Sequence, residues 1–181
     1  MPRRVEFTKA GSPSTIRIAE MPMPEPTNGE VRVKVAFAGI NFADLLMRLG
    51  FYQPRPPYPF TPGYEVSGVI DAVGEGNTEF TLGQRVVAAM STGGQASHVI
   101  VDQSRVLALP DEIDLDVAAA MPVTYLTAHH MLHHLGHMTK DESVLIHGGA
   151  GGVGTAALQL CKWAGVTRVW ATASGSKSSI I

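Results

Sequence analysis

Apolar and polar residues alternate along "EVRVKVAFAGI", placing Val31, Val33, Val35 and Phe37 on one face and Arg32 and Lys34 on the other. A period of two belongs to a strand with one buried side. Similar β-branched or alternating runs recur at "EVSGVIDAV" (65–73), "QRVVAAM" (84–90), "ASHVIVD" (96–102) and "RVLALP" (105–110), with "GEGN" and "STGGQ" as turns between them. Short strands at this spacing predict a compact, barrel-like sheet over residues 1 to about 110. One helical period interrupts it. In "NFADLLMRLG", Asn41 is the expected N-cap, Phe42, Leu45, Leu46 and Leu49 the apolar stripe, and Gly50 the stop. The proline-rich "FYQPRPPYPFTPG" that follows suits neither a helix nor a central strand and is expected to form a long loop.

From Asp111 the pattern changes to the alanine-rich, helical "DEIDLDVAAAMPVTYLTAHHMLHHLGH", interrupted at Pro122, whose ring removes a backbone donor. The change divides the chain into a β-rich domain, 1–115, and a second region, 116–181. In the second, "SVLIHGG" reads as a buried strand, "GTAALQLCKWAG" as a helix ended by Gly165, and "RVWATAS" as another strand. That order is one βαβ unit with parallel strands, so the fold class is α/β plus β.

Gly149, Gly151 and Gly154 satisfy G-x-G-x-x-G directly after the first of these strands and directly before the helix. In that context the first glycine permits the tight turn and the second lets a pyrophosphate approach the backbone. The third lets the helix pack close to the strand. Amides at the helix N-terminus, those of Gly152 and Val153 included, offer donors and a partial positive charge to phosphates. An NAD site usually carries Asp or Glu about 20 residues past the motif. Here "ATASGSKSS" stands there, with Ser174 and Lys177 and no carboxylate. Hydroxyl and ammonium donors suit a 2′-phosphate, which makes NADPH the expected cofactor.

Composition narrows the rest. With 14 basic and 16 acidic residues among 181, and a formal charge of -2, there is no large basic surface, so nucleic acid is not an expected partner. A single cysteine, Cys161, excludes an internal disulfide and any multi-cysteine zinc site, and suits a reducing compartment. No signal peptide or bilayer-length apolar run is evident, which reads as a soluble, cytoplasmic protein.

"AGINFADLLMRLGFY" (38–52), "PFTPGYEVSGVIDAVGEG" (59–76), "AAAMPVTYLTA" (118–128), "SVLIHGGAGGVG" (143–154) and "ATASGSK" (171–177) together resemble the medium-chain dehydrogenase/reductase superfamily. Within it they are most similar to zeta-crystallin-like NADPH:quinone oxidoreductases, including the vesicle amine transport protein branch. The resemblance implies a GroES-like N-terminal domain followed by the first βαβ unit of an incomplete Rossmann domain. Zinc-dependent members carry Cys and His where this chain has Asn41 and Tyr64, so the resemblance implies a zinc-independent protein that reduces a quinone or related α,β-unsaturated carbonyl. It also implies Asn41 and Tyr52 near the nicotinamide and acceptor, Thr127 at the nicotinamide end, and Ser174 with Lys177 on the 2′-phosphate. Several members carry a tyrosine where this chain has Leu46, which leaves that position without a catalytic assignment.

"HHMLHHLGH" holds five of the seven histidines, with His129/His133, His130/His134 and His133/His137 at helical spacing. No Glu completes an H-E-x-x-H pattern and no ligand of another type is nearby, so no physiological metal is expected, only adventitious nickel capture. Cys161 falls on the helix pattern with Ala157, Leu158 and Ala164 and reads as a buried small hydrophobe. A doubly wound domain of about six strands needs about 130 residues; the stretch from Ser143 onward is far shorter. The expectation is a truncated chain of a normally homodimeric reductase, binding NADPH weakly or not at all, with little turnover. Two alternatives stay open: an enoyl-thioester reductase of the same superfamily, and a non-catalytic binding fragment.

Overall fold

The computed structural model describes residues 1–77 and 79–180. By its contacts the chain divides into two units, Met1–Pro122 and Val123–Ile181.

The first unit opens with a hairpin of β1 (Arg3–Phe7) and β2 (Ile16–Glu20), then enters a five-stranded antiparallel sheet. Its strands are β3 (Glu30–Ala38), β4 (Glu65–Val73), β5 (Arg85–Ala89), β6 (His98–Asp102) and β7 (Val106–Ala108). Their order is β6-β3-β4-β5-β7, so β6 and β7 are the edges. The core lies where alternation places it: Val31, Val33, Val66, Ile70, Val86, Val99, Val101 and Val106 are buried together. Phe37 departs from the expected stripe and is half exposed. The β3–β4 register shifts between Val35 and Phe37, and such a bulge turns the side chains beyond it to the other face.

α1 (Phe42–Leu49) interrupts the sheet region and ends at Gly50, whose φ of 84° is left-handed. Its buried face differs from the expected one. Phe42, Leu45 and Leu49 are exposed, whereas Asp44 and Met47 are buried. Two anchors set this rotation: Met47 packs with Phe7 and Phe60, and the Asp44 carboxylate accepts backbone hydrogen bonds on both oxygens. The proline-rich stretch after α1 holds no helix and touches β structure only through a bridge from Phe60 to Phe7. α2 (Leu115–Ala119) packs against β3, β4 and β5 and so lies in the first unit.

The helical stretch is interrupted ahead of Pro122, where α2 has ended and α3 (Pro122–His129) begins; all of α3 but Pro122 belongs to the second unit. Proline is tolerated at a first helical position because that amide has no intrahelical acceptor. The helix continues as a π turn over His130–Leu135. β8 (Ser143–His147) and β9 (Arg168–Thr172) pair in parallel, joined by α4 (Gly152–Trp163). Ala128, Ile146, Ala156, Ala157, Cys161 and Val166 form the small core of this unit. Cys161 is fully buried, and burial pushes its thiol above its ordinary pKa. Among the described residues no helix is long and apolar enough to cross a membrane.

Candidate functional site

The glycine turn joins β8 to α4. Gly149 N–H donates to the Thr172 carbonyl at 2.9 Å and Gly148 N–H to Thr172 Oγ1 at 3.2 Å, which ties the end of β8 to the end of β9. Gly151 N–H donates to the Gly148 carbonyl at 2.9 Å, closing the turn, and Gly151 caps α4 in extended geometry. Gly154 is buried; a Cβ there would overlap the Gly148 carbonyl oxygen and lie 2.7 Å from Gly149 Cα. At Gly152 a Cβ would meet Thr124 Cγ2 at 3.0 Å. The first turn of α4 therefore sits flush on the strand-to-helix turn, as the third-glycine role requires.

The left-handed residue of this turn is Gly148, with a φ of 73°, not Gly149. Sequence reasoning missed it because the strand runs into two successive glycines, and only the backbone angle shows which one takes the strain-free reversal. Gly151, Gly152 and Val153 are exposed, so the unsatisfied amides of the first helical turn face open space. A cavity of about 440 Å³ borders Gly148, Gly151, Val153 and Gly154. Apart from His147 and the glycine backbone its walls are apolar, including Leu132, Val144 and Ile146. Phosphate contacts are thus restricted to its glycine end. A glycine cradle whose places a Cβ would fill, at the start of a twelve-residue helix, fits a pyrophosphate.

Ser174 and Lys177 follow β9, both exposed, with Lys177 N–H donating to the Ser174 carbonyl at 2.8 Å. Among the described residues Lys177 makes no ion pair with a carboxylate. Thr127 is exposed on α3, one turn beyond Thr124, the threonine that meets the glycine turn.

Asn41 and Tyr52 lie in the first unit. Asn41 holds the N-cap position and forms a capping box with Asp44, while its Nδ2 donates to Glu65 Oε1 at 2.7 Å. Glu65 is 2% exposed, and Gly39 makes room for it, since a Cβ there would overlap the carboxylate. A carboxylate can only accept, so the amide group of Asn41 is oriented with Oδ1 turned from Glu65. The Asp44 carboxylate is the reciprocal arm of that box, accepting Asn41 N–H at 2.8 Å, and it also accepts Gly63 N–H at 3.0 Å. Burial pushes the Asp44 carboxyl above its usual range, against these two donors.

Tyr52 is half-buried beside Met47, Phe60 and Tyr64. Burial, and next the Tyr52 hydroxyl, push the Tyr64 phenol well above its ordinary value. The Tyr64 hydroxyl donates to Met47 Sδ at 4.0 Å. Glu65 and Tyr64 were not singled out as site residues from sequence; the signal available was a carboxylate inside the buried alternation of β4. Among the described residues no group of three or more His, Cys, Asp or Glu could hold a metal. In the histidine run His129 ends α3, His130, His133 and His134 lie on the π turn and His137 follows it, with the His129/His133 and His130/His134 rings each 4.7 Å apart.

Residues 27–111 match the alcohol dehydrogenase GroES-like domain. With the βαβ unit and glycine turn that follow it, the chain is similar along its length to VAT-1 homologs and quinone oxidoreductases, and the solved structures it resembles include quinone and enoyl reductases. Among curated proteins it is 44% identical over 158 residues to the synaptic vesicle membrane protein VAT-1 homolog of Danio rerio, covering 87% of this chain and 33% of that protein. It is 36% identical over 162 residues to the quinone oxidoreductase of Lama guanicoe, covering 88% and 49%. The crystal structure of the human VAT-1 homolog-like protein superposes with a TM-score of 0.96 at 35% identity, over 100% of this chain and 59% of that one. The quinone oxidoreductase of Thermus thermophilus, solved also in complex with NADPH, gives a TM-score of 0.80 at 37% identity, over 93% and 52%. The chain spans about half the length, or less, of the curated relatives it matches.

Proposed function

We propose that this chain carries the NADPH-cradling turn and the β-rich domain of a zinc-independent reductase of quinones or related α,β-unsaturated carbonyls, working in the cytoplasm as a homodimer when its Rossmann sheet is complete. The observation that carries the reading is the glycine turn: three glycine positions, 148, 152 and 154, where a side chain would strain the backbone or meet a neighbour, at the N-terminus of α4. Solved relatives bound to NADPH support the cofactor.

In this reading the turn closed by Gly149 and Gly151 lets the amides of Gly152, Val153 and Gly154 hold the pyrophosphate, and Ser174 and Lys177 hold the 2′-phosphate. Bound NADPH supplies a hydride, which a conjugated acceptor can take without a Lewis acid. Thr127 attends the nicotinamide end. Asn41, oriented by Glu65, presents Oδ1 to a donor group of cofactor or acceptor. Tyr52 offers a hydroxyl to the oxygen that gains charge as the acceptor is reduced. Enoyl reductases are also among the solved structures the chain resembles, one with a TM-score of 0.93 at 33% identity, so an acyl-thioester acceptor is the second reading.

Fluorescence titration with NADPH tests the reading. Saturable binding that Lys177→Glu abolishes is the expected result; a folded sample that binds none supports a non-catalytic binding module. Assays of quinones against acyl-thioester enones then separate the two acceptors.

A further inference from the structure

We propose that His130 and His134 form a two-imidazole clip for a borderline divalent transition-metal ion, Cu²⁺, Ni²⁺ or Zn²⁺, on the π turn that continues α3. The proposal does not depend on the reductase reading.

The backbone sets the geometry. Gly136 N–H donates to the Met131 carbonyl five residues back, at 2.9 Å, which is the wide π closure. Four residues overshoot one α turn and fall short of one π turn, so a segment passing from one to the other sets residues i and i+4 nearly above each other. The two rings are held with centroids 4.7 Å apart and planes 23° apart. An ion lies about 2.0–2.1 Å from each ligating nitrogen. A ring centre lies roughly 1.2 Å further on, so two imidazoles on one ion, at near-right to tetrahedral angles, have centres about 4.5–5.2 Å apart. The observed spacing is already within that interval; the rings stack in the free chain, and an ion is bound when both turn about χ1 and χ2 so that their in-plane lone pairs converge.

Availability points the same way. His130 and His134 are exposed, and their ring nitrogens make no hydrogen bond among the described residues. The second pair, His129 and His133, has the same ring separation, but His133 Nε2 is buried without a partner. That pair has one nitrogen fewer to offer and is the weaker site. Imidazole selects copper, nickel and zinc over magnesium and calcium, which need oxygen ligands. The remaining coordination positions are open to water or to a ligand from outside, and an ion held here fastens the π turn and stabilises the second unit.

The test is calorimetric titration of the untagged chain with cupric, nickel or zinc chloride, with magnesium chloride as control, and a thermal melt at each end point. One ion is expected to bind and to raise the melting temperature. His130→Gln and His134→Gln are each expected to weaken binding by at least the about tenfold that losing a mere supporting partner costs, and to remove the thermal shift; His129→Gln leaves both in place. Melts in EDTA that match the parent establish that the variants fold, as substitutions at exposed positions should allow. No binding, an equal response to magnesium, unchanged binding in His134→Gln, or an equal loss in all three variants would overturn the proposal, the last meaning an adventitious ion only.

Discussion

The two units bury their strands to different degrees. In the first, Val31, Val33, Val66 and Val86 have no exposed surface, because five antiparallel strands and α2 close over one face. In the second, two parallel strands and their helix leave Leu145, Trp163 and Trp170 more than half exposed. Antiparallel sheets tolerate a wet face, whereas parallel sheets are normally covered on both. The first unit therefore has the makings of an independently stable fold. The second carries a well-formed glycine turn on a lightly buried base, and it is expected to open at lower free energy.

The largest effect expected on either side of this contrast comes from the first core. Ile70→Ala should destabilise that unit by about 2–5 kcal/mol in denaturant unfolding, since Ile70 is 1% exposed. Next comes Asp44→Ala, which strands the buried amide of Gly63 and uncaps α1; about 1–3 kcal/mol is expected, read as a lowered midpoint.

A smaller effect follows from pH. Hydrogen bonds from Arg17 and Arg4 hold Glu6 below its ordinary value of 4.5, despite burial. A carboxylate depressed in the folded state contributes stability above the unfolded pKa and loses it as pH falls through the folded one. Glu30 and Asp102 are also lowered, and all three lie in the first unit. Below pH 4.5 the first unit should lose stability stepwise, and Arg17→Ala, which removes about 1 kcal/mol at neutral pH, should flatten that dependence. Amide exchange across pH 3 to 6 measures it.

Trp170→Ala should shift stability by no more than about 0.5 kcal/mol, because the ring is 55% exposed. A large loss there would mean that the second unit is better covered than its surface indicates. Thiol labelling adds a kinetic reading. Cys161 is fully buried, so it should react only when the second unit opens, at a lower denaturant concentration than the first core requires.

Much of this contrast was legible in the residues. A β-branched run between turns located β4 to the residue, and alternation located the buried Val31 and Val33 of β3, because a strand with one dry face writes its burial directly into the period. It failed at Phe37, where the bulge that turns the side chain outward leaves no mark in the pattern. It failed again on α1, where a carboxylate held by two amides outweighed a leucine stripe in setting the rotation. Apolar periodicity cannot register a buried hydrogen bond. In the site, the spacing of the glycines located the strand-to-helix turn, but the left-handed backbone belongs to Gly148. The Asn41–Glu65 bond joins residues 24 apart in sequence, and only the fold brings them together.

The central claim is that the turn from Gly148 to Gly154 is a phosphate cradle whose neighbour Lys177 selects NADPH. The most direct measurement is an amide NMR titration of the chain with NADPH and, separately, NADH. The amides of Gly151 to Gly154 should move with both cofactors, and those of Ser174 to Lys177 with NADPH alone, the latter response vanishing in Lys177→Glu. A folded chain in which saturating NADPH leaves the amides of Gly151 to Gly154 unmoved would contradict the account.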